Sequence, residues 1–277
     1  MAVAVVTDSS SDLPTDLAAR HGIEVVPLSI RFGEEELVDR RDLTPAQFWA
    51  RCAASPVLPE TAAPAPGDFQ AAYERAAERG ADGVVCVTIS SKLSATISAA
   101  STAAEAFERL PVRVVDSRSV TMGLGMIVLG AAQAAETGGG VDEVAAAAEG
   151  LVGRTRVYGT LDTLENLKKG GRIGAAQALL GSLLSVKPVI EVRDGEVEPG
   201  PKQRTRARAL AWLAEKVAAD GPAGDVAVVS GEAPDVDTLC DLLSRHLPRE
   251  RLVLADLGAV IGTHAGPRTI GVAYQVA

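Results

Sequence analysis

The stretch "GVVCVTISSKLSATISAASTAAEAFERLPVRVVDS", residues 83–117, carries the clearest architectural signal in the chain. Its opening "GVVCVTI" is an apolar, largely β-branched run without alternation, as expected of a strand covered on both faces. "SATISAASTAAEAFERL" then has helical periodicity, and "VRVVDS" reads as a second strand. A strand, a helix and a strand in succession form a βαβ unit, whose two strands lie parallel.

The same rhythm extends in both directions. "VAVVT", "PTDLAARHG" and "IEVVPLSI" read as strand, helix and strand. Pro14 suits the first turn of a helix, Gly22 its left-handed end, and Thr44-Pro45 marks another helix start. "VTMGLGMIVLGAAQAA", residues 120–135, is shorter than the ~20 residues a bilayer crossing needs and reads as a buried helix. After "AAETGGGVDEVAAAAEGLVG" the texture changes: "RVYGTLD" begins a new strand, and "IEVRDGEVEPG" is a hairpin turning at Asp194-Gly195. Helices at "RTRARALAWLAEKVAAD" and "DVDTLCDLLSRHL" alternate with strands at "DVAVVS", "RLVLADL" and "TIGVAYQV". The expected fold is α/β in two domains. Residues 1–153 hold a mostly parallel sheet flanked by helices, and residues 154–277 a mixed sheet with helices.

With 277 residues and 47% hydrophobic content, the chain can bury two cores. Its 27 basic and 36 acidic residues give a net charge of −9, and no basic run is interleaved with aromatics, so a nucleic-acid partner is not expected. Cys52, Cys86 and Cys240 are far apart, odd in number and without a CxxC, which points to a reducing cytoplasm. The opening "MAVAVVTDSS" lacks the basic segment of a signal peptide and fits a buried strand. His21, His246 and His264 have no Cys or His at ligand spacing, so no metal site is expected. His21 and His246 fall at helix ends, where an imidazole can contact the last carbonyls.

Several chemical motifs fail. "MGLGMIVLG" begins a helix after a strand, but Val128 stands where a dinucleotide fingerprint needs its third glycine, so Gly123 and Gly125 read as close-packing residues. Neither GxxxxGK[ST] nor GxSxG occurs. Asp8 ends the first strand, where open α/β sheets bind ligands, but Ser10 replaces the second carboxylate of a metal-dependent phosphotransferase. Asp8, Ser9 and Ser10 therefore read first as turn and capping residues.

Three segments remain where strand ends would be exposed: "PETAAPAPGDF", "TISSKLSATISAA" and "GTHAGPRTIGVAY". Thr61 lies in the first, in a proline-rich loop before a helix. Ser90, Ser91 and Ser94 lie in the second, between a strand and a helix amino terminus that favours an anion. His264 lies in the third.

These stretches, with "VTDSSSDLP", "VVDSRSVTMGLGM", "TLENLKKGGRIG" and "KPVIEVRDGEVEP", resemble in order and length the DegV family of bacterial fatty-acid-binding proteins, over nearly the whole chain. The resemblance implies two α/β domains with one long-chain fatty acid, such as palmitate or oleate, between them. It implies that Thr61, Ser94 and His264 hold the carboxylate. Arg172 and Arg204 match positions associated with the head-group region and with docking of a fatty acid kinase catalytic subunit. The implied protein is a cytoplasmic, non-catalytic carrier without a cofactor, which serves phospholipid synthesis and has room for transient membrane contact. Three positions depart from the family pattern: Ala95 and Arg268 stand where glycine is usual, and Ala62 where a hydroxyl residue often follows the threonine. The alternative is an enzyme, a phosphotransferase or hydrolase using Asp8, Ser9 and Ser10, or His264 as a base.

Overall fold

The computed structural model describes residues 2–182 and 187–277. In the first part of the chain the strands are β1 (Val3–Asp8), β2 (Glu24–Val26), β3 (Ser29–Phe32), β4 (Glu35–Val38), β5 (Glu60–Ala62), β6 (Gly83–Thr88) and β7 (Val112–Asp116). A parallel sheet runs in the order β2-β1-β6-β7. Its central strands send Val5, Val85 and Val87 to one face and Val6, Val84 and Cys86 to the other. Both faces are covered, so "GVVCVT" carries no polar alternation. Helices Pro66–Glu78 and Thr96–Ala106 cover the outer face.

A small antiparallel sheet, in the order β4-β3-β5, departs from expectation. "IEVVPLSI" is not one strand, because Pro27 separates β2 from β3 and the two join different sheets. A proline has no N–H for a ladder and ends the pairing there. Thr61 likewise lies in strand β5, opposite Ile30 of β3, rather than in a loop.

The later strands are β8 (Thr155–Thr160), β9 (Val189–Arg193), β10 (Glu196–Pro199), β11 (Pro222–Ser230), β12 (Leu252–Asp256) and β13 (Ile270–Val276). They form a mixed sheet in the order β10-β9-β8-β13-β11-β12, in which β11 and β12 run parallel and the other neighbours antiparallel. The β9–β10 hairpin turns at Asp194 and Gly195, whose φ values of 50° and 86° are the left-handed pair such a turn requires. Helices Arg206–Asp220 and Val236–Leu243 cover the outer face, over Tyr158 and Tyr274.

Helix Thr121–Glu136 lies between the sheets, touching β1 and β6 on one side and β8, β11 and β13 on the other. An element buried all round must be apolar all round, which accounts for "MGLGMIVLG". Its glycines serve packing: a Cβ at Gly125 would lie 2.9 Å from the Ser11 carbonyl oxygen, and one at Gly123 would overlap Ser119 and Val157. Val5, Val85, Val157, Val229 and Ala273 join this helix in a single apolar core that runs from one sheet to the other.

Candidate functional site

Thr61, Ser94, Arg172 and His264 meet at one cavity of about 200 Å³. Its apolar wall includes Leu28, Ile89, Leu93, Leu167, Val260 and Ile261. The small sheet brings Thr61, the segment beyond β6 brings Ser94, and helix Ala259–Ala265 brings His264. A larger cleft of about 740 Å³, lined by Asp116, Arg118, Arg156 and Arg193 among others, contains none of the sequence-predicted site residues. It is polar where the smaller cavity combines an oily wall with a few polar groups, the usual make-up of a site for an amphipathic molecule.

The helix carrying His264 is short and is fixed from several directions. Asp12 accepts the Gly258 N–H at 3.0 Å, just before its first turn, and the Thr121 hydroxyl at 2.6 Å. Asn166 donates to the Thr263 carbonyl at 3.1 Å and so ties helix Glu165–Lys169 to it. Gly262 lets Phe48 and Trp49 pack against the helix, since a Cβ there would stand 2.8 Å from each ring. Gly266, at φ 82°, ends it.

His264 Nε2 lies 3.0 Å from Thr61 Oγ1. Burial first, and then the charge of Arg172, lowers the imidazole pKa from 6.5 to about 4, so the ring is neutral at physiological pH. Nδ1 is buried, without a hydrogen-bond partner among the described residues, and occupies the space beside Gly170 where a side chain would begin. A lone pair in that position costs less than a stranded N–H, which favours the proton on Nε2, facing Thr61 and the cavity. Arg172 is pinned by backbone oxygens: Nη1 donates to Gly170 at 2.7 Å and Nε to Leu93 at 3.1 Å. Ser94 Oγ accepts the Thr96 N–H at 3.3 Å and lies 2.8 Å from the Thr96 hydroxyl. The rim thus offers two hydroxyls, a neutral imidazole and a fixed guanidinium.

The other sequence candidates lie elsewhere. Ser90 is buried and donates to the Gly195 carbonyl at 2.7 Å, joining the β9–β10 turn to the end of β6. Ser91 is exposed. Arg204 is exposed just before the cap residue of helix Arg206–Asp220 and does not line the cavity. Asp8, Ser9 and Ser10 are fully buried. Asp8 accepts N–H groups from Ser10 at 3.0 Å and Ile89 at 2.8 Å, as well as the Ser10 hydroxyl, and burial pushes its carboxyl pKa up. The His21 imidazole meets the Glu136 carboxylate at 2.7 Å, and it is the His21 backbone N–H that reaches the last carbonyls of its helix.

Of the departures, Ala95 lines the cavity with φ −77° and is unstrained, while Arg268 sits at φ 61°, in the left-handed region. Its Nε lies 3.1 Å from Asp162 Oδ2. Ala62 is exposed in β5. Sequence reading missed Asp12, Asn166 and Gly170. Only the doubled glycine in "KKGG" hinted at a close approach.

Fold and site together define an α/β protein of two main sheets that encloses an apolar cavity with a small polar rim. The chain belongs to the DegV family: the family model, described as an uncharacterised protein of the DegV family, matches residues 2–277. A DegV domain-containing protein of Streptomyces coelicolor is 44% identical over 276 residues, covering 98% of this chain and 97% of the relative. Among solved structures, a DegV family protein from Thermus thermophilus described by its fatty acid binding has a TM-score of 0.90 and 37% identity, with 100% of both chains covered. DegV of Bacillus subtilis, described as a fatty acid binding protein, has a TM-score of 0.90 and 30% identity, again over 100% of both chains. A stearic acid-binding protein from Eubacterium ventriosum has a TM-score of 0.85 and 27% identity, covering 98% of this chain and 97% of that one. Among the described residues no helix is long and apolar enough to cross a membrane, and no three His, Cys, Asp or Glu come together as a metal site.

Proposed function

We propose that this protein is a carrier of long-chain fatty acids such as palmitate or oleate. Residues 1–153 and 154–277 act as two lobes around the ligand, with Thr61, Ser94 and His264 gripping its carboxylate. The observation that carries the reading is the Thr61–His264 pair, 3.0 Å apart, at the rim of an otherwise oily cavity. The acyl tail supplies affinity, about 0.8 kcal/mol for each buried methylene. The carboxylate loses hydration costing several kcal/mol unless donors replace it, and the two hydroxyls and the Nε2–H are such donors. The backbone-held charge of Arg172 favours an anion at the same place.

In this reading the protein is a cytoplasmic, non-catalytic subunit. A separate fatty acid kinase catalytic subunit docks over Arg172 and the exposed Arg204, phosphorylates the carboxylate from ATP, and leaves the acyl phosphate shielded for phospholipid synthesis. The buried, hydrogen-bonded state of Asp8 and Ser10 supports assigning them to structure rather than to phosphoryl transfer.

Native mass spectrometry and palmitate titration test the binding. The wild type should retain or take up one acid, and Thr61→Ala with Ser94→Ala should weaken it by about ten- to a hundredfold, as expected on losing hydrogen bonds to a charged group. A protein that binds neither palmitate nor oleate would overturn the reading. Arg204→Ala should keep the lipid but lower acyl phosphate formation with the kinase subunit.

A further inference from the structure

The site cavity borders a neighbouring space. A second, almost wholly apolar space shares Val120, Ile190, Val192, Ile261 and Ala265 with the first and lies over the mixed sheet. Its floor contains one transverse row of that sheet in register: Ile190 of β9 pairs with Gly159 of β8, Gly159 with Gly271 of β13, and Gly271 with Val229 of β11. Val157 and Ala273, two residues along on the same strands, belong to the central core, whereas Tyr158 and Val272 belong to the outer one. Side chains alternate along a strand, so both glycines face the inner space and leave a trough between Ile190 and Val229.

The two glycines have different reasons to be glycine. At Gly271 a Cβ would stand 2.7 Å from the Tyr158 carbonyl oxygen, so the backbone itself excludes a side chain. At Gly159 the nearest atom to such a Cβ would be the Ile270 carbonyl oxygen at 3.5 Å, which is ordinary contact, and its φ is not left-handed. Among the described residues none stands closer than 3.5 Å to a Cβ at 159, although a glycine weakens a strand interior. A glycine inside a strand often marks a bulge, a tight bend, or a site where a ligand or another backbone approaches closely. Gly159 sits in regular register with both neighbouring strands, which leaves close approach.

We propose that Gly159, seated beside Gly271, is the specificity-determining residue for acyl-chain length, and that the far end of a bound fatty acid lies in the trough over the pair. This rests on the fatty-acid reading above. A side chain at 159 fills the trough and shortens the tail the protein accepts, with Ala acting in part and Val more fully. Excluding two methylenes lowers affinity for a long acid about tenfold.

The test is competition between laurate and stearate, read by native mass spectrometry, on wild type, Gly159→Ala and Gly159→Val. The stearate-over-laurate ratio should fall in Gly159→Ala and fall at least tenfold in Gly159→Val. An unchanged ratio in variants that still bind acids would overturn the proposal and leave the carrier reading standing. Failure of the wild type to bind any acid would overturn the carrier reading itself. Should Gly159→Val not fold, Gly159→Ala and Val229→Ala decide: the latter widens the trough and should raise the ratio of a twenty-carbon acid to stearate, and no movement in either variant would overturn the proposal.

Discussion

The imidazole of His264 rests in the space left by the missing side chain of Gly170, with Nδ1 where a Cβ would intrude. Gly170 has φ −75° and ψ −6°, a conformation any residue adopts, so its role is to leave room rather than to turn the chain. Gly170→Ala should therefore keep the fold but push the ring off Thr61. We expect fatty-acid affinity to fall by at least tenfold with little change in melting temperature, checked by titration with a fluorescent fatty acid and by calorimetry.

The buried ring also sets a pH dependence. With the pKa of His264 lowered from 6.5 to about 4, the unfolded chain binds the extra proton first as pH falls, and the folded state loses stability across that window. His264→Gln removes this contribution. Its stability relative to wild type should rise by up to about 3 kcal/mol between pH 6.5 and pH 4, measured by urea unfolding. Fatty-acid binding by the wild type should be nearly level from pH 6 to 8, because the ring stays uncharged; a steep loss through pH 6.5 would mean a protonated histidine grips the acid.

Asp12 works in the opposite sense. Burial raises its carboxyl to about 7, with Arg40, Thr121 and the Gly258 N–H lowering it and Asp39 adding to the rise. The folded state then holds the extra proton between the ordinary value of 3.8 and about 7, so stability is lost as pH rises through that window. Asp12→Asn should gain stability relative to wild type between pH 4 and pH 7. Loss of the Gly258 contact would instead show as weaker fatty-acid binding at every pH.

At Arg268, Gly and Ala substitutions separate backbone from side chain. Both remove the half-exposed ion pair with Asp162, worth little at a surface. Only Gly relieves the φ of 61°. Arg268→Gly should be about 1 kcal/mol more stable than Arg268→Ala, read from their urea midpoints.

The α/β architecture could be read from the chain because a strand buried on both faces, such as β6, carries its environment in its own residues. The hairpin at Asp194-Gly195 was equally local. The small sheet was not, since β3, β4 and β5 are only three or four residues each and take their identity from one another. The pairing of Thr61 with His264 spans 203 positions, and no periodicity signals a contact of that kind; family resemblance singled out both residues, and only folding places them together. Asp12 stayed hidden because its partners at Thr121 and Gly258 approach from distant parts of the chain.

The helix from Thr121 to Glu136 binds the fates of the two halves. Since each sheet finishes its inner core on that shared element, cutting the chain near residue 153 would strip one half of its lining and leave the other with a bare oily flank. The intact molecule should melt as one cooperative unit, and neither fragment should be soluble when made alone.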